Sequence, residues 1–407
     1  AAMQGRIAMY HALGEGVSPI KLKTVAAAVF TRPEIAAVGV SQATIDKGCA
    51  RLEAGDYAAA ARIFARASRR INDSAPLYYN LGTAYHHMGR YDAAVSAFEA
   101  ALRIDPAHQA SGEHLGLTLI RLEAYDKAVA HLRALFPSVA REDRARILNA
   151  LANAEKGAGN SDLACLRYLQ AFRANPTYAP TYYNMGCLLH DTFQLFSEAT
   201  DHFELYLRRA PAEDPHIASA RERLQRLRAS GVQAPGQATQ PAGGRRNSGT
   251  ALQAIREGDA HYAARRYSRA ETAYARALSA DYMSYDAAIR LGYARTGAAN
   301  FAEAIKAYQR AGEIEPAKIE PIYLQAHAAY SGRQLDQAGR LLTTLAIPRW
   351  PSYIANYQLM AYVRMAQKRI PEAIIYGQHY LDVAPVQTPG LEAFRKWLNA
   401  LSTTTEP

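Results

Sequence analysis

The chain has 407 residues, of which 49% are hydrophobic and 21% charged, and its formal net charge is +10. No apolar run is long enough to span a bilayer, and three cysteines without motif spacing argue against a disulfide framework. The composition, with 26 tyrosines against 10 phenylalanines, suits a long and thin core. We expect a reducing compartment, the cytoplasm, although loss of an export signal from the N-terminus stays open.

The first 46 residues do not share the pattern of the remaining chain. They contain a helix-like stretch, Ala2 to Gly14, and a second stretch, Thr24 to Val40, that includes Thr31-Arg32-Pro33-Glu34. This segment resembles the flavoprotein pyridine-nucleotide disulfide oxidoreductases, the dihydrolipoamide dehydrogenase and quinone reductase group. The phosphate loop, redox cysteine pair and His/Glu dyad of that family do not follow, so no functional residue is assigned. We interpret residues 1–46 as a truncated segment from a natural fusion, a chimera or a misassembled frame.

The clearest pattern lies between Ala75 and Pro106, which predicts two amphipathic helices joined by a turn at Gly89 and Arg90 and closed by Pro106. Small and large apolar residues recur at fixed spacing along both helices: Tyr78, Leu81, Gly82, Tyr85, Ala94, Phe98 and Ala101. The small residues allow two helices to approach closely. The pattern resembles the tetratricopeptide repeat, which implies an all-α, right-handed superhelical solenoid of helix-turn-helix repeats.

The pattern recurs at intervals of about 34 residues on both sides of this stretch. Residues 47–230 are predicted to hold five repeats and then a charged capping helix. The marker residues of the other four repeats include Gly48, Phe64, Gly116, Leu132, Leu151, Tyr168, Gly186 and Phe203. The fifth repeat has one extra residue in its turn, so its helix geometry is the hardest to predict.

Residues 231–250 are rich in Gly, Pro, Gln and Ala and carry no apolar period, which predicts a flexible linker. The repeats then resume, and residues 251–407 are predicted to form a second array of four repeats followed by a capping helix over Leu391 to Leu401. The last two repeats match the pattern less well. Marker residues of this array include Gly258, Tyr274, Gly292, Tyr308, Ala326, Ala338, Ala361 and Ala373.

A solenoid binds its ligands on the concave face, which the first helix of each repeat supplies. In the first array the candidate peptide-binding residues are Tyr79, Asn80, His87, Tyr183 and Asn184, whose amides can bond the backbone of an extended peptide. In the second array they are Arg256, Tyr262, Arg290, Tyr293, Tyr323, Tyr330 and Tyr362. We expect Tyr293 and Tyr323 to contribute most to partner binding and Arg290 to pair with an acidic group of the partner. Tyrosine and arginine are enriched at binding hot spots. Packing between repeats is the alternative role of each tyrosine.

Other classes of ligand fit the sequence less well. Lysine and arginine interleave with acidic residues instead of forming a basic face, so nucleic acid is not an expected partner. A carboxylate clamp of the kind found in some repeat proteins needs Lys, Asn and Arg, but Asp259 and Glu320 stand at two of its positions in the second array. The histidines, His86, His87, His114 and His190, lack the companion ligands of a metal site. We expect no cofactor and no metal.

The sequence therefore predicts a non-catalytic scaffold that binds a protein or peptide on the concave surface of its repeats. Two alternatives stay open. One is a chaperone or assembly factor with a promiscuous groove. The other is an FAD-dependent NAD(P)H disulfide or quinone oxidoreductase, which residues 1–46 imply without supplying its catalytic residues. The sequence predicts no membrane partner and does not determine the oligomeric state.

Overall fold

The computed structural model describes residues 42–229 and 247–403, and within these ranges the protein contains helices and no strand. The described residues form two compact units, unit 1 over residues 42–229 and unit 2 over residues 247–403. The predicted segment 1–46 and linker 231–250 lie largely outside the described ranges. The predicted boundaries differ from the structure at the C-terminal end of each segment. Residues 42–46 belong to the first helix of unit 1, and residues 248–250 belong to the first helix of unit 2.

Unit 1 consists of consecutive antiparallel helix pairs, as the repeat pattern predicts. The pairs are α1 (Gln42–Glu53) with α2 (Tyr57–Ser68), α3 (Ala75–His87) with α4 (Tyr91–Ile104), α5 (Gln109–Arg121) with α6 (Tyr125–Leu135), α7 (Arg144–Gly157) with α8 (Ser161–Ala174), and α9 (Ala179–Asp191) with α10 (Phe196–Arg209). A further helix, α11 (Ile217–Ala229), packs on α10 in the position of a cap.

Unit 2 repeats the same arrangement. Its pairs are α12 (Ser248–Ala263) with α13 (Tyr267–Ala280), α14 (Tyr285–Gly297) with α15 (Phe301–Ile314), α16 (Glu320–Ser331) with α17 (Leu335–Leu341), and α18 (Ala355–Ala366) with α19 (Ile370–Val383). Helix α17 continues into a π-helical turn, Leu342–Ala346, and a last helical turn, Ile347–Arg349. Helix α20 (Leu391–Thr403) packs on α19. The all-α tetratricopeptide solenoid predicted from the sequence is confirmed.

A glycine on the first helix of a pair makes room for a large side chain of the second. A Cβ atom added at Gly82 would lie 2.7 Å from the ring of Phe98, and one at Gly186 would lie 2.8 Å from the ring of Phe203. Real Cβ atoms do not approach so closely, so these rings fit only because the glycine has no side chain. The rings themselves are fully buried.

The turn inside each pair contains one residue in the left-handed region. Glycine fills this position at Gly55, Gly89 and Gly159, with φ between 72° and 83°. Other residue types, with φ between 55° and 63°, fill it in the remaining pairs: Glu123, Gln194, Arg265, Ala299, Arg333 and Lys368. The extra residue of the fifth repeat lies in this turn, where Leu195 N–H donates to the Leu189 carbonyl over 2.9 Å. The insertion therefore widens the turn and leaves both helices intact.

Candidate functional site

The residues that the sequence singled out in the first array lie in contacts between neighbouring helices. Tyr79 is 4% exposed and stacks on His114, with ring centroids 5.1 Å apart. Tyr183 is 3% exposed and stacks on His216 at 4.4 Å. His87 is buried and stacks on the ring of Tyr57. These rings fill the layer between helices and do not line an open groove.

The two asparagines of unit 1 are also buried. Asn80 is 0% exposed and its Nδ2 donates to Cys49 Sγ over 3.8 Å, whereas Asn184 is 2% exposed and its Nδ2 donates to Asn149 Oδ1 over 3.0 Å. Each bond joins one repeat to the preceding repeat. The structure thus corrects the sequence-based placement: these amides connect repeats and are not presented to solvent.

Two histidines of unit 1, His86 and His114, lie in contacts between helices. The His86 imidazole lies 2.9 Å from the Thr118 hydroxyl, and burial lowers the pKa of His86 to about 3. Burial also lowers the pKa of His114 well below 6.5, and its Nδ1 atom is buried without a hydrogen-bond partner. Within residues 42–229 and 247–403, no group of three or more His, Cys, Asp or Glu side chains is placed to hold a metal ion.

Unit 2 differs because its candidate tyrosines remain partly open. We define the tyrosine face as the set Tyr262, Tyr293, Tyr323, Tyr330, Tyr353 and Tyr362. Tyr262 is 39% exposed and Tyr353 is 36% exposed, and the other members are half-buried. Tyr323 and Tyr353 meet edge to face, with ring centroids 5.3 Å apart. The ring of Tyr362 lies 4.9 Å from that of Trp397, so α20 closes one end of the face.

Hydrogen bonds fix several phenol groups of unit 2. Tyr293 donates to Glu320 Oε1 over 2.8 Å, and Tyr285 donates to Glu320 Oε2 over 3.0 Å. Burial, followed by these hydrogen bonds, raises the pKa of both tyrosines, so they stay protonated at neutral pH.

The arginines of unit 2 are placed differently from one another. Arg256 is exposed on α12. Arg290, which the sequence assigned to an acidic group of the partner, instead pairs with Asp259 within the protein, over 3.4 Å between Nη1 and Oδ1. Both partners are about two-fifths exposed, so this ion pair is weak and screened by water.

Sequence reasoning missed two members of this site. Tyr353 lies in the irregular connection between α17 and α18, where no repeat spacing applies, so the pattern had no position for it. Glu320 stood at a position of the carboxylate clamp with the opposite charge. That reversal was a usable signal, because a carboxylate disfavours an anionic ligand at this position.

Comparison with known proteins supports the repeat assignment. Residues 75–108 and residues 255–317 each match a family model described as tetratricopeptide repeat. One match lies in unit 1 and one in unit 2. Repeats of this family form protein-interaction scaffolds, so a protein or peptide partner is the expected class of ligand.

Two curated proteins match parts of the chain. A stretch of 48 residues in the N-terminal region is 85% identical to NAD(P)H dehydrogenase (quinone) of Mycobacterium tuberculosis (strain ATCC 25618 / H37Rv), over 12% of this chain and 10% of that protein. Another stretch of 110 residues is 31% identical to the probable UDP-N-acetylglucosamine–peptide N-acetylglucosaminyltransferase SPINDLY of Hordeum vulgare, over 25% of this chain and 11% of that protein. The chain therefore spans about a tenth of the length of these relatives. The predicted resemblance of the N-terminal segment to a flavoprotein oxidoreductase is confirmed.

Two solved structures match parts of the chain. The match to pilF of Pseudomonas aeruginosa has a TM-score of 0.38 and 16% identity, and covers 46% of this chain and 88% of that one. The match to MamA of Desulfovibrio magneticus RS-1 has a TM-score of 0.35 and 17% identity, and covers 47% of this chain and 97% of that one. No described helix is both long and apolar enough to cross a membrane.

Proposed function

We propose that the protein is a non-catalytic interaction scaffold whose unit 2 binds an extended or helical segment of a partner protein on the tyrosine face. The observation that carries the proposal is the contrast between the two units. Among the candidate residues, Tyr79 and Tyr183 in unit 1 are 4% and 3% exposed, whereas Tyr262 in unit 2 is 39% exposed. Of the candidate aromatic residues, those of unit 2 retain surface that a partner can cover.

Partly exposed tyrosines are suited to this role. The ring offers apolar area, the hydroxyl offers a polar group, and the side chain has few rotamers to lose on binding. Hydrogen bonds to Glu320 and ring contacts with Tyr308 and Tyr353 hold Tyr293 and Tyr323 in place before a partner arrives. Because these side chains are already ordered, binding costs less conformational entropy.

Affinity capture from a cell extract, followed by mass spectrometry, identifies the partner. We expect the double substitution Tyr293→Ala and Tyr323→Ala to weaken capture about tenfold or more, while circular dichroism stays helical. The matched control is Tyr91→Ala, which removes a half-buried tyrosine from α4 in unit 1. This control is expected to leave capture unchanged.

Unchanged capture by the folded double variant would contradict the proposal. Equal retention of many unrelated apolar peptides would instead indicate the chaperone alternative. The oxidoreductase alternative depends on a stretch that covers 10% of the dehydrogenase it matches, and enzymatic activity of the purified protein would support it.

A further inference from the structure

Glu320 is the acidic group at the centre of the tyrosine face. It is half-buried at the start of α16, and each carboxylate oxygen accepts one phenol hydrogen bond, Oε1 from Tyr293 and Oε2 from Tyr285. Two donors from the same neighbouring helix, α14, fix the orientation of the carboxylate. Each oxygen keeps a second lone pair for a further donor.

The charge of Glu320 is not neutralised within the part of the chain that the structure describes. No Lys, Arg or His side chain there forms an ion pair with its carboxylate. The nearest basic residue along the chain, Lys318, pairs with Glu315 over 2.9 Å and lies 3.8 Å from the centre of the Tyr285 ring. Arg290 is paired with Asp259. A half-buried carboxylate whose hydrogen-bond donors are phenols keeps its negative charge available for an external cation.

Aromatic rings stand beside this carboxylate. Tyr323 follows Glu320 by one turn of α16. The ring of Tyr353 packs edge to face against the ring of Tyr323. Tyr353 is 36% exposed, so part of its ring is accessible to a partner. A cation held by the carboxylate would therefore lie against one or more ring faces.

We propose that the tyrosine face recognises a lysine or arginine side chain of the partner segment, which pairs with Glu320 and packs on Tyr323 and Tyr353. Charge-assisted hydrogen bonds to a carboxylate and cation–π contacts with tyrosine both favour a cation. The inference rests on the proposed function, since it requires that a partner segment occupies the tyrosine face. It differs from the sequence-based hypothesis, in which Arg290 selects an acidic group.

Short fluorescein-labelled peptides test the proposal with the full-length protein. The peptides share one Ala/Leu background and differ only at a central residue, which is Lys, Arg, Gln or Glu. Fluorescence anisotropy is expected to show the Lys and Arg peptides binding about tenfold more tightly than the Gln peptide, and the Glu peptide binding most weakly. High salt is expected to reduce this preference because the ion pair is partly exposed.

Two substitutions separate charge recognition from folding. Glu320→Gln keeps one acceptor oxygen for one tyrosine hydroxyl, places an NH2 donor beside the other hydroxyl oxygen and removes the charge, so the preference for Lys and Arg is expected to fall below about twofold. Glu313→Gln removes one charge from the exposed side of α15 and is expected to keep the full preference. Equal effects of the two substitutions would contradict a specific cation pocket.

Failure of the inference and failure of the proposed function give different results. Equal binding of all four peptides that is lost in the Tyr293→Ala and Tyr323→Ala double variant overturns the cation pocket and keeps binding on the tyrosine face. Binding that the double variant retains overturns both. Absence of binding by every peptide at millimolar concentration also overturns both.

Discussion

At the scale of single residues, six of the described repeats place a non-glycine residue in the left-handed region of the turn, where its side chain strains the backbone. Ala299 has φ 59° and is exposed, whereas the equivalent Gly89 has φ 72° and a Cβ atom added there would meet nothing within 4 Å. A side chain in this region costs roughly 1–2 kcal/mol, which glycine avoids. The difference between these two turns is therefore one of backbone strain and not of packing.

We expect Ala299→Gly to raise the free energy of unfolding by about 1 kcal/mol and Gly89→Ala to lower it by about as much. Denaturant unfolding followed by circular dichroism measures both changes. The matched control is Ala298→Gly at the preceding residue, whose φ is −81°, and there glycine is expected to destabilise. A stabilising Ala298→Gly would show that strain at residue 299 is not the cause.

A second residue-scale prediction concerns acid. His114 and His86 are neutral in the folded protein because burial lowers both pKa values, His86 to about 3, whereas the unfolded chain protonates near 6.5. Below pH 6.5 the unfolded state binds more protons, so stability is lost as pH falls, by up to about 1.4 kcal/mol per pH unit for each histidine.

The substitution His114→Phe keeps a ring on Tyr79 and removes the titrating group. Urea unfolding between about pH 4 and pH 6.5 measures how the free energy of unfolding depends on pH. For the variant, this dependence is expected to correspond to about one proton fewer taken up on unfolding than for the unchanged protein. Parallel slopes would show that His114 also titrates normally in the folded state.

At the scale of elements, α20 shields the apolar end of the second array. Phe394 is 2% exposed, and its ring centroid lies 4.8 Å from that of Tyr380 and 5.5 Å from that of Tyr362. We expect Phe394→Ala to cost about 3–5 kcal/mol and to speed amide exchange in α18 and α19. The control Lys396→Ala changes an exposed residue of the same helix and is expected to cost less than about 0.5 kcal/mol. Similar costs would contradict the role of α20 as a cap.

The helices could be predicted from the sequence because their signals are local. Glycine at Gly82 and Gly186, the large rings opposite them and the closing prolines recur with the repeat, so helix pairs follow from spacing alone. Exposure of an inner-face residue depends instead on the next repeat. Asn80 is buried because Cys49 of the preceding repeat lies against it, and no spacing within one repeat encodes that contact.

The binding surface of unit 2 could be predicted only in part for the same reason. The tyrosines on regular helices, such as Tyr293 and Tyr323, follow from the repeat register. Tyr353 comes from a connection that departs from it, and the partner of Arg290 is set by the position of Asp259 one repeat away. Ion pairs between neighbouring repeats can therefore be identified only from the three-dimensional structure.

At the scale of the whole molecule, the chain contains repeat units and an N-terminal region that resembles a different family. The first described helix is already packed by its own neighbours: Ile45 and Leu52 are 1% and 0% exposed within the core of unit 1, and Gly48 lies against Phe64. Residues 1–40 lie outside the described ranges. The sequence assigns them to an oxidoreductase-like segment that supplies no repeat.

We therefore expect deletion of residues 1–40 to leave the melting temperature of the remaining protein nearly unchanged, because α1 keeps its buried contacts with α2. Differential scanning calorimetry of the full chain and of residues 41–407 measures the difference. The full chain is also expected to be colourless, since the similar stretch covers only 10% of the dehydrogenase and the family's phosphate loop is missing from it. A fall of many degrees on deletion would show that residues 1–40 stabilise unit 1. A flavin absorbance band in the purified protein would overturn the assignment of a non-catalytic scaffold, because a bound flavin supplies redox chemistry.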